Sequence, residues 1–226
     1  MKRLIYIIIG VLSCGLYTAC QEKEIEVYDQ TPRINFETRQ RIREFVDTDY
    51  VAKTAFILDS FTVRIQGDLL KERRSFCVKA VKNEQYENVI AVELEKSYAY
   101  TALDTVCQTF YYKIACPQLK PGTRSYGCSL EFDLGNPLHQ FDKGKIEQHV
   151  MPLNVRWRLR PDGWEEWTWQ EYSDAKYKFM MDVCGCVYAK MGDDAPAKVA
   201  EAYKQYKAAG NAPIMDENGK EIKFDE

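Results

Sequence analysis

Between Pro32 and Leu159 the chain alternates apolar and polar side chains in short runs. Arg33-Ile34-Asn35-Phe36 alternates, and Phe61 to Gln66 does so strictly before Gly67-Asp68 closes the run. Ser75 to Val81, Val89 to Leu94 and Thr105 to Cys116 are further runs rich in β-formers. Ser125 to Leu134 alternates around Tyr126, Cys128, Leu130 and Phe132, after a turn at Lys120-Pro121-Gly122-Thr123. Val150 to Leu159 places Met151, Leu153, Val155 and Trp157 on one face, and Pro152 confines its start to a sheet edge. About seven short strands at this spacing predict an antiparallel, immunoglobulin-like β-sandwich over residues 32–160.

After Gly163 the period changes. Ser173 is a good helix N-cap with Asp174 in the first turn. Lys176, Met180, Val183, Val187 and Met191 step by three or four along one stripe, which predicts a helix ended by Gly192. Asp194, with Pro196 just inside, opens a second helix with Val199, Ala202, Tyr203 and Tyr206 on its stripe and Gly210 at its end. Asn218-Gly219, between Ile214/Met215 and Ile222/Phe224, predicts a two-residue hairpin turn. The predicted class is therefore mainly β with a C-terminal α part. Residues 161–226 form an aromatic linker, a helical hairpin and a short β tail packed on the sandwich.

The start of the chain reads differently. Lys2 and Arg3 precede an apolar stretch, Leu4 to Leu12, and Tyr17-Thr18-Ala19 leads to Cys20. The stretch is shorter than the roughly 20 residues that span a bilayer. The pattern predicts a lipoprotein signal peptide over 1–19, with Cys20 acylated as the new N-terminus and residues 20–31 as a tether. A plain cleaved signal or an uncleaved anchor is the alternative. A rival box at Val11-Leu12-Ser13-Cys14 would leave an apolar core of only Leu4 to Ile9, so Cys20 is preferred. The acyl chains on Cys20 would be the membrane tether.

Without residues 1–19 the chain carries 29 basic and 34 acidic side chains, a balance of −5, which argues against nucleic acid and against an electrostatic grip on anionic lipid. Cys77, Cys107, Cys116, Cys128, Cys184 and Cys186 admit a disulfide reading, with about 15 full pairings, or serve as small buried hydrophobes. Cys184-Gly185-Cys186 lacks zinc-knuckle spacing, and neither His139 nor His149 is near it in sequence, so no metal and no cofactor is expected. No Gly-x-Ser-x-Gly elbow or His-Glu-x-x-His motif is present. Lys71-Glu72-Arg73-Arg74 reads as a solvated turn between strands.

All four tryptophans, Trp157, Trp164, Trp167 and Trp169, lie with Tyr172 and Tyr177 in one short stretch. Trp157, Trp164, Trp167, Trp169 and Tyr172 are the candidate ligand or partner surface, since flat rings beside Glu165 and Glu166 suit a sugar ring or an apolar peptide side chain. Alternatively the rings join the helices to the sandwich. The three tryptophans 164, 167 and 169 share no clean period, so some should stay partly exposed.

Gln21-Glu22-Lys23-Glu24 after Cys20, the motif Tyr172-Ser173-Asp174-Ala175-Lys176-Tyr177 and the tail Asp216-Glu217-Asn218-Gly219-Lys220-Glu221-Ile222-Lys223-Phe224 together resemble a family of small Bacteroidota lipoproteins known only as a domain of unknown function. The chain departs from that pattern at Gln170, where the family carries glycine, and in the number of cysteines in its sandwich. The resemblance implies an accessory component of a TonB-dependent importer and its lid lipoprotein, on the outer membrane and facing the cell surface, engaged with a glycan or peptide. It transfers no catalytic residue. Two other functions remain open from the residues: a surface glycosidase or protease using unidentified acids, and a pilus or adhesin subunit.

Overall fold

The computed structural model describes residues 32–120, 122–123 and 125–224. The expected signal peptide, Cys14, Cys20 and the tether lie outside these residues. The described chain forms twelve strands: β1 (Arg33–Phe36), β2 (Arg41–Val46), β3 (Phe56–Gln66), β4 (Arg74–Phe76), β5 (Val78–Val81), β6 (Asn88–Val89), β7 (Val92–Glu93), β8 (Tyr98–Tyr100), β9 (Cys107–Ala115), β10 (Tyr126–Phe132), β11 (Asp142–Lys143) and β12 (Val150–Arg158). Four α-helices join them: α1 (Asp47–Val51), α2 (Glu166–Trp169), α3 (Asp174–Cys184) and α4 (Ala195–Ala208).

Two five-stranded sheets carry the β part, in the orders β11-β1-β3-β9-β7 and β2-β12-β10-β5, and β6 also pairs with β10. Their inward faces share one core that includes Ile34, Phe61, Val63 and Ile114 from the first sheet and Phe45, Leu130, Leu153 and Val155 from the second. Phe36 of β1 stacks on Phe132 of β10 with ring centroids 4.2 Å apart, which ties one sheet to the other. Burial of these period-two faces, at about 25 cal/mol per Å² of apolar surface, is the main force holding the sheets together.

Three expectations need correction. The sheets are mixed, not wholly antiparallel: β1–β11, β2–β12 and β6–β10 run parallel. The chain switches sheets between Phe36 and Arg41, and that crossover places β2 beside β12 in the parallel sense. The run from Ser75 to Val81 is two strands, because β4 pairs with β8 whereas β5 joins β10. Pro152 lies in a strand flanked by β2 and β10, but β2 reaches only to Leu153, so one side of Pro152 is uncovered as a proline requires.

In the C-terminal part, Ser173 caps α3 as expected, its hydroxyl accepting the Lys176 N–H at 3.1 Å. The helix stops at Cys184, not at Gly192. Gly185 takes φ 69°, a left-handed conformation that ends the helix early, and Tyr188–Lys190 continues only as a 3₁₀ turn. α4 runs to Ala208 and Gly210 follows at φ 81°. The tail closes with a single antiparallel bridge, Met215 to Glu221, in place of a two-stranded hairpin. A second core gathers Leu159, Trp169, Tyr177, Met180 and Val199. Trp157 packs against this core and against the core between the sheets. No helix among the described residues is long and apolar enough to cross a membrane.

Candidate functional site

The aromatic segment begins where β12 ends. Trp157, near that end, donates from Nε1 to the Pro117 carbonyl at 3.3 Å, and its ring sits 5.4 Å from Phe45. Trp164 donates from Nε1 to the Gln170 carbonyl at 3.0 Å and meets the Tyr172 ring edge-on at 5.0 Å. Tyr172 donates to Asp174 at 2.7 Å, and burial pushes its phenol well above the usual range. The Arg160 guanidinium lies 5.3 Å from the Tyr172 ring centre. Tyr177 is fully buried, donates to Asp47 at 2.7 Å and accepts the Tyr188 N–H at 2.8 Å.

α2 separates its two tryptophans. Residues two apart on a helix point about 200° from each other. Trp169 therefore turns into the second core at 6 % exposure, whereas Trp167 is 84 % exposed. Of the five rings predicted as a ligand or partner surface, four are buried or half-buried and joined to neighbouring rings or carbonyls, and Trp167 alone projects freely. A salt bridge of 3.7 Å from Arg160 to Glu166 lies beside it.

Behind this segment the two motifs that carried the family resemblance meet. The Ala175 N–H donates to Glu217 at 3.0 Å, the Lys176 ammonium lies 5.3 Å from the Phe224 ring centre, and Lys220 reaches Glu171 at 3.5 Å. Lys176 is buried and donates from Nζ to the Trp169 carbonyl. Gln170, beside them, holds φ 59° and ψ −161°, a conformation that only glycine adopts without strain. Between the motifs is a pocket of about 60 Å³ lined by residues that include Tyr172, Ser173, Lys176, Lys220 and Ile222. That volume admits a few water molecules, whereas ligand pockets run to roughly 300–1,000 Å³. A sugar ring would have to bind outside it.

By sequence, no family profile and no curated protein matches this chain. Among solved structures, a Bacteroides ovatus protein provisionally assigned to carbohydrate binding aligns over 55% of this chain and 36% of its own at 8% identity, with a TM-score of 0.39. The apo form of the Calx CBD1 domain aligns over 57% of this chain and 98% of its own at 8% identity and a TM-score of 0.38. EndoBT-3987 of Bacteroides thetaiotamicron, solved with a Man5GlcNAc product, aligns over 55% of this chain and 30% of its own at 9% identity and a TM-score of 0.36. The chain thus spans about a third of the first and third of these proteins. Likeness at this level carries no argument about fold or function.

One charged cluster escaped the sequence reading. Asp59 of β3 is buried and receives Arg41 at 2.7 Å, Arg43, and the Tyr112 hydroxyl at 3.0 Å. Burial pushes its carboxyl up, but the bonds from Arg43 and Arg41 outweigh it and hold the group down at about 2. The signal was present: Asp59 sits in the inward register of a strand otherwise apolar at Ile57, Phe61, Val63 and Ile65. Elsewhere, the six cysteines from Cys77 to Cys186 are free thiols, and burial raises Cys116 and Cys128 to about 11. Among the described residues no group of three or more His, Cys, Asp or Glu side chains is placed to hold a metal ion.

Proposed function

We propose that this protein is a non-enzymatic lipoprotein, anchored by acyl chains on Cys20 to the outer membrane and facing the cell surface. It serves as an accessory or ligand-binding component of a TonB-dependent glycan or peptide uptake complex. Its two sheets form an immunoglobulin-like carrier, and the helical hairpin with its tail presents the aromatic segment. The observation that carries this reading is Trp167, a fully presented indole on a segment whose other rings are held in place. Tryptophan is enriched among the residues that dominate binding energy, and a ring held in solvent on a rigid frame has apolar area to bury against a partner at little ordering cost. The export signal and the family resemblance supply the address and the company.

Three measurements test it. Mass spectrometry of the mature product should find diacyl or triacyl Cys20, and a free thiol there refutes the anchor. Affinity purification from solubilised membranes should recover an importer and its lid with the wild type, and less of them, or less bound glycan, with Trp167→Ala. Equal recovery from both proteins refutes the role of Trp167. Turnover of a polysaccharide or peptide by the purified protein, lost on replacing one acid, refutes the non-enzymatic reading.

A further inference from the structure

Cys184 ends α3, Gly185 follows it, and Cys186 comes next. Gly185 holds φ 69° and ψ 16°, the left-handed mirror of a helical turn. A residue in that conformation sets the Cα atoms on either side of it about 5.5 Å apart, as two steps along a helix do. Disulfide-bonded cysteines have Cα atoms roughly 4.4–6.8 Å apart, most often about 5.5–6 Å. An extended residue would part its neighbours by about 6.6 Å, near the outer limit of that range. The turn that stops α3 thus brings its two cysteines to the separation a disulfide prefers.

The two thiols also share their surroundings. Both are half-buried, so a reagent in solvent reaches them, and the structure shows them reduced. Cys184 packs on the second core. Cys186 lies close enough to Cys184, and to the Tyr177 phenol in that same core, for a charge on it to act on both. None of Cys77, Cys107, Cys116 and Cys128 has another cysteine in its own turn of chain.

We propose that Cys184 and Cys186 close into a disulfide across Gly185, by exchange with an external disulfide, and that this cross-link fixes the loop carrying Tyr188. The Cys186 thiolate attacks one sulfur of the external disulfide, which forms a mixed disulfide and expels one thiolate. Burial pushes the Cys184 thiol up, so its thiolate acts second, where proximity favours it. It attacks the Cys186 sulfur, closes the ring and expels the second external thiolate. The protein loses two protons and two electrons, and the external disulfide leaves as two thiols. The source of oxidant in the cell rests on the export proposed above, since exported proteins meet disulfide-bearing oxidants. The exchange itself does not depend on that reading.

The loop it fixes supports the presented indole. Tyr188 donates its N–H to the Tyr177 hydroxyl at 2.8 Å, and its own hydroxyl accepts the Glu165 N–H at 3.2 Å. Its ring lies 5.5 Å from that of Trp164. Glu165 is the N-cap of α2, the helix that bears Trp167. A closed ring two residues before Tyr188 therefore orders the support of α2 before any partner arrives.

The test uses the purified full chain, reduced and then held in a glutathione buffer rich in the oxidised form. It is quenched with acid, alkylated with N-ethylmaleimide in denaturant and digested with trypsin. The peptide Phe179–Lys190 contains these two cysteines and no other. It should be lighter by two hydrogens and unlabelled, while the buried Cys77 and Cys128 take label. Cys184→Ser should leave glutathione trapped on Cys186. Amide exchange at Glu165 and Tyr188 should slow about threefold or more in the closed chain. Two labels or two glutathiones on the peptide, or a bridge from either cysteine to a third, overturns the pairing. Unchanged exchange at Glu165 and Tyr188 overturns the effect on α2. In intact cells alkylated before lysis the peptide should already be closed. Free thiols there, with closure in the purified chain, refute the exported location and confirm the pair.

Discussion

Gln170 is the most strained residue of the candidate site. A side chain at φ 59°, ψ −161° costs about 1–3 kcal/mol, while glycine there would return part of that as extra entropy of the unfolded chain. Gln170→Gly should raise stability by about 1 kcal/mol in urea unfolding, because the Trp164 bond goes to the backbone carbonyl and survives the change. Family likeness flagged this position in the sequence, but only the backbone angle says why glycine belongs there. Asp59 is the opposite case. Removing its charge leaves Arg41 and Arg43 facing each other and Tyr112 with a weaker acceptor. Both arginines reach solvent in part, so Asp59→Asn should cost about 2 kcal/mol, below the 3–5 kcal/mol of a fully buried pair. The pH dependence follows in two windows. Burial lowers His139 and His149, which accept the backbone N–H groups of Cys77 and Gly144. The unfolded chain takes up these protons near 6.5 and the fold does not, so stability is complete above that pH and falls as pH drops below it. Asp59, at about 2 in the fold against 3.8 ordinarily, adds stability that is present above 3.8 and lost as pH falls toward 2. Urea midpoints at pH 8, 6, 5 and 3 should decline in that order.

Elements whose apolar face is unbroken were legible in the sequence, and those with a charge turned inward were not. β9, β10 and β12 are legible to within a residue or two, whereas β3 is legible only over Phe61 to Gln66, because the inward Asp59 interrupts its apolar face before that. β2 was missed because Arg41 and Arg43 face inward to Asp59 while Ile42 faces out, which reverses the expected polarity. The helical stripe running through Val187 to Met191 was read as one helix because spacing alone does not show that Gly185 takes a left-handed turn. The start of α3 was legible, since Ser173 followed by Asp174 is a local signal that depends on no distant contact. Ser173→Ala should cost about 1 kcal/mol and leave the β-sheet signal of the far-UV spectrum unchanged.

For the whole molecule, the sequence placed the strands before the helices and the tryptophans between them. It could not say which ring would reach water, because that depends on how α2 sits against α3 and β12. The packed rings join the second core to the sheets through Trp157. Removing Trp167 should therefore change stability by less than about 0.5 kcal/mol, the scale of exposed substitutions, whereas Trp157→Ala should cost about 3–5 kcal/mol. Thermal melts of the two variants check the contrast.

The clustering of every indole in residues 157–169 has a spectroscopic consequence. Intrinsic emission is a local gauge of the C-terminal lobe, silent about most of the two sheets, and iodide should quench one fluorophore of the four far more readily than the rest. An emission curve that coincides with circular dichroism during denaturation would then mean that lobe and sheets melt as one cooperative body, with Trp157 as the rivet.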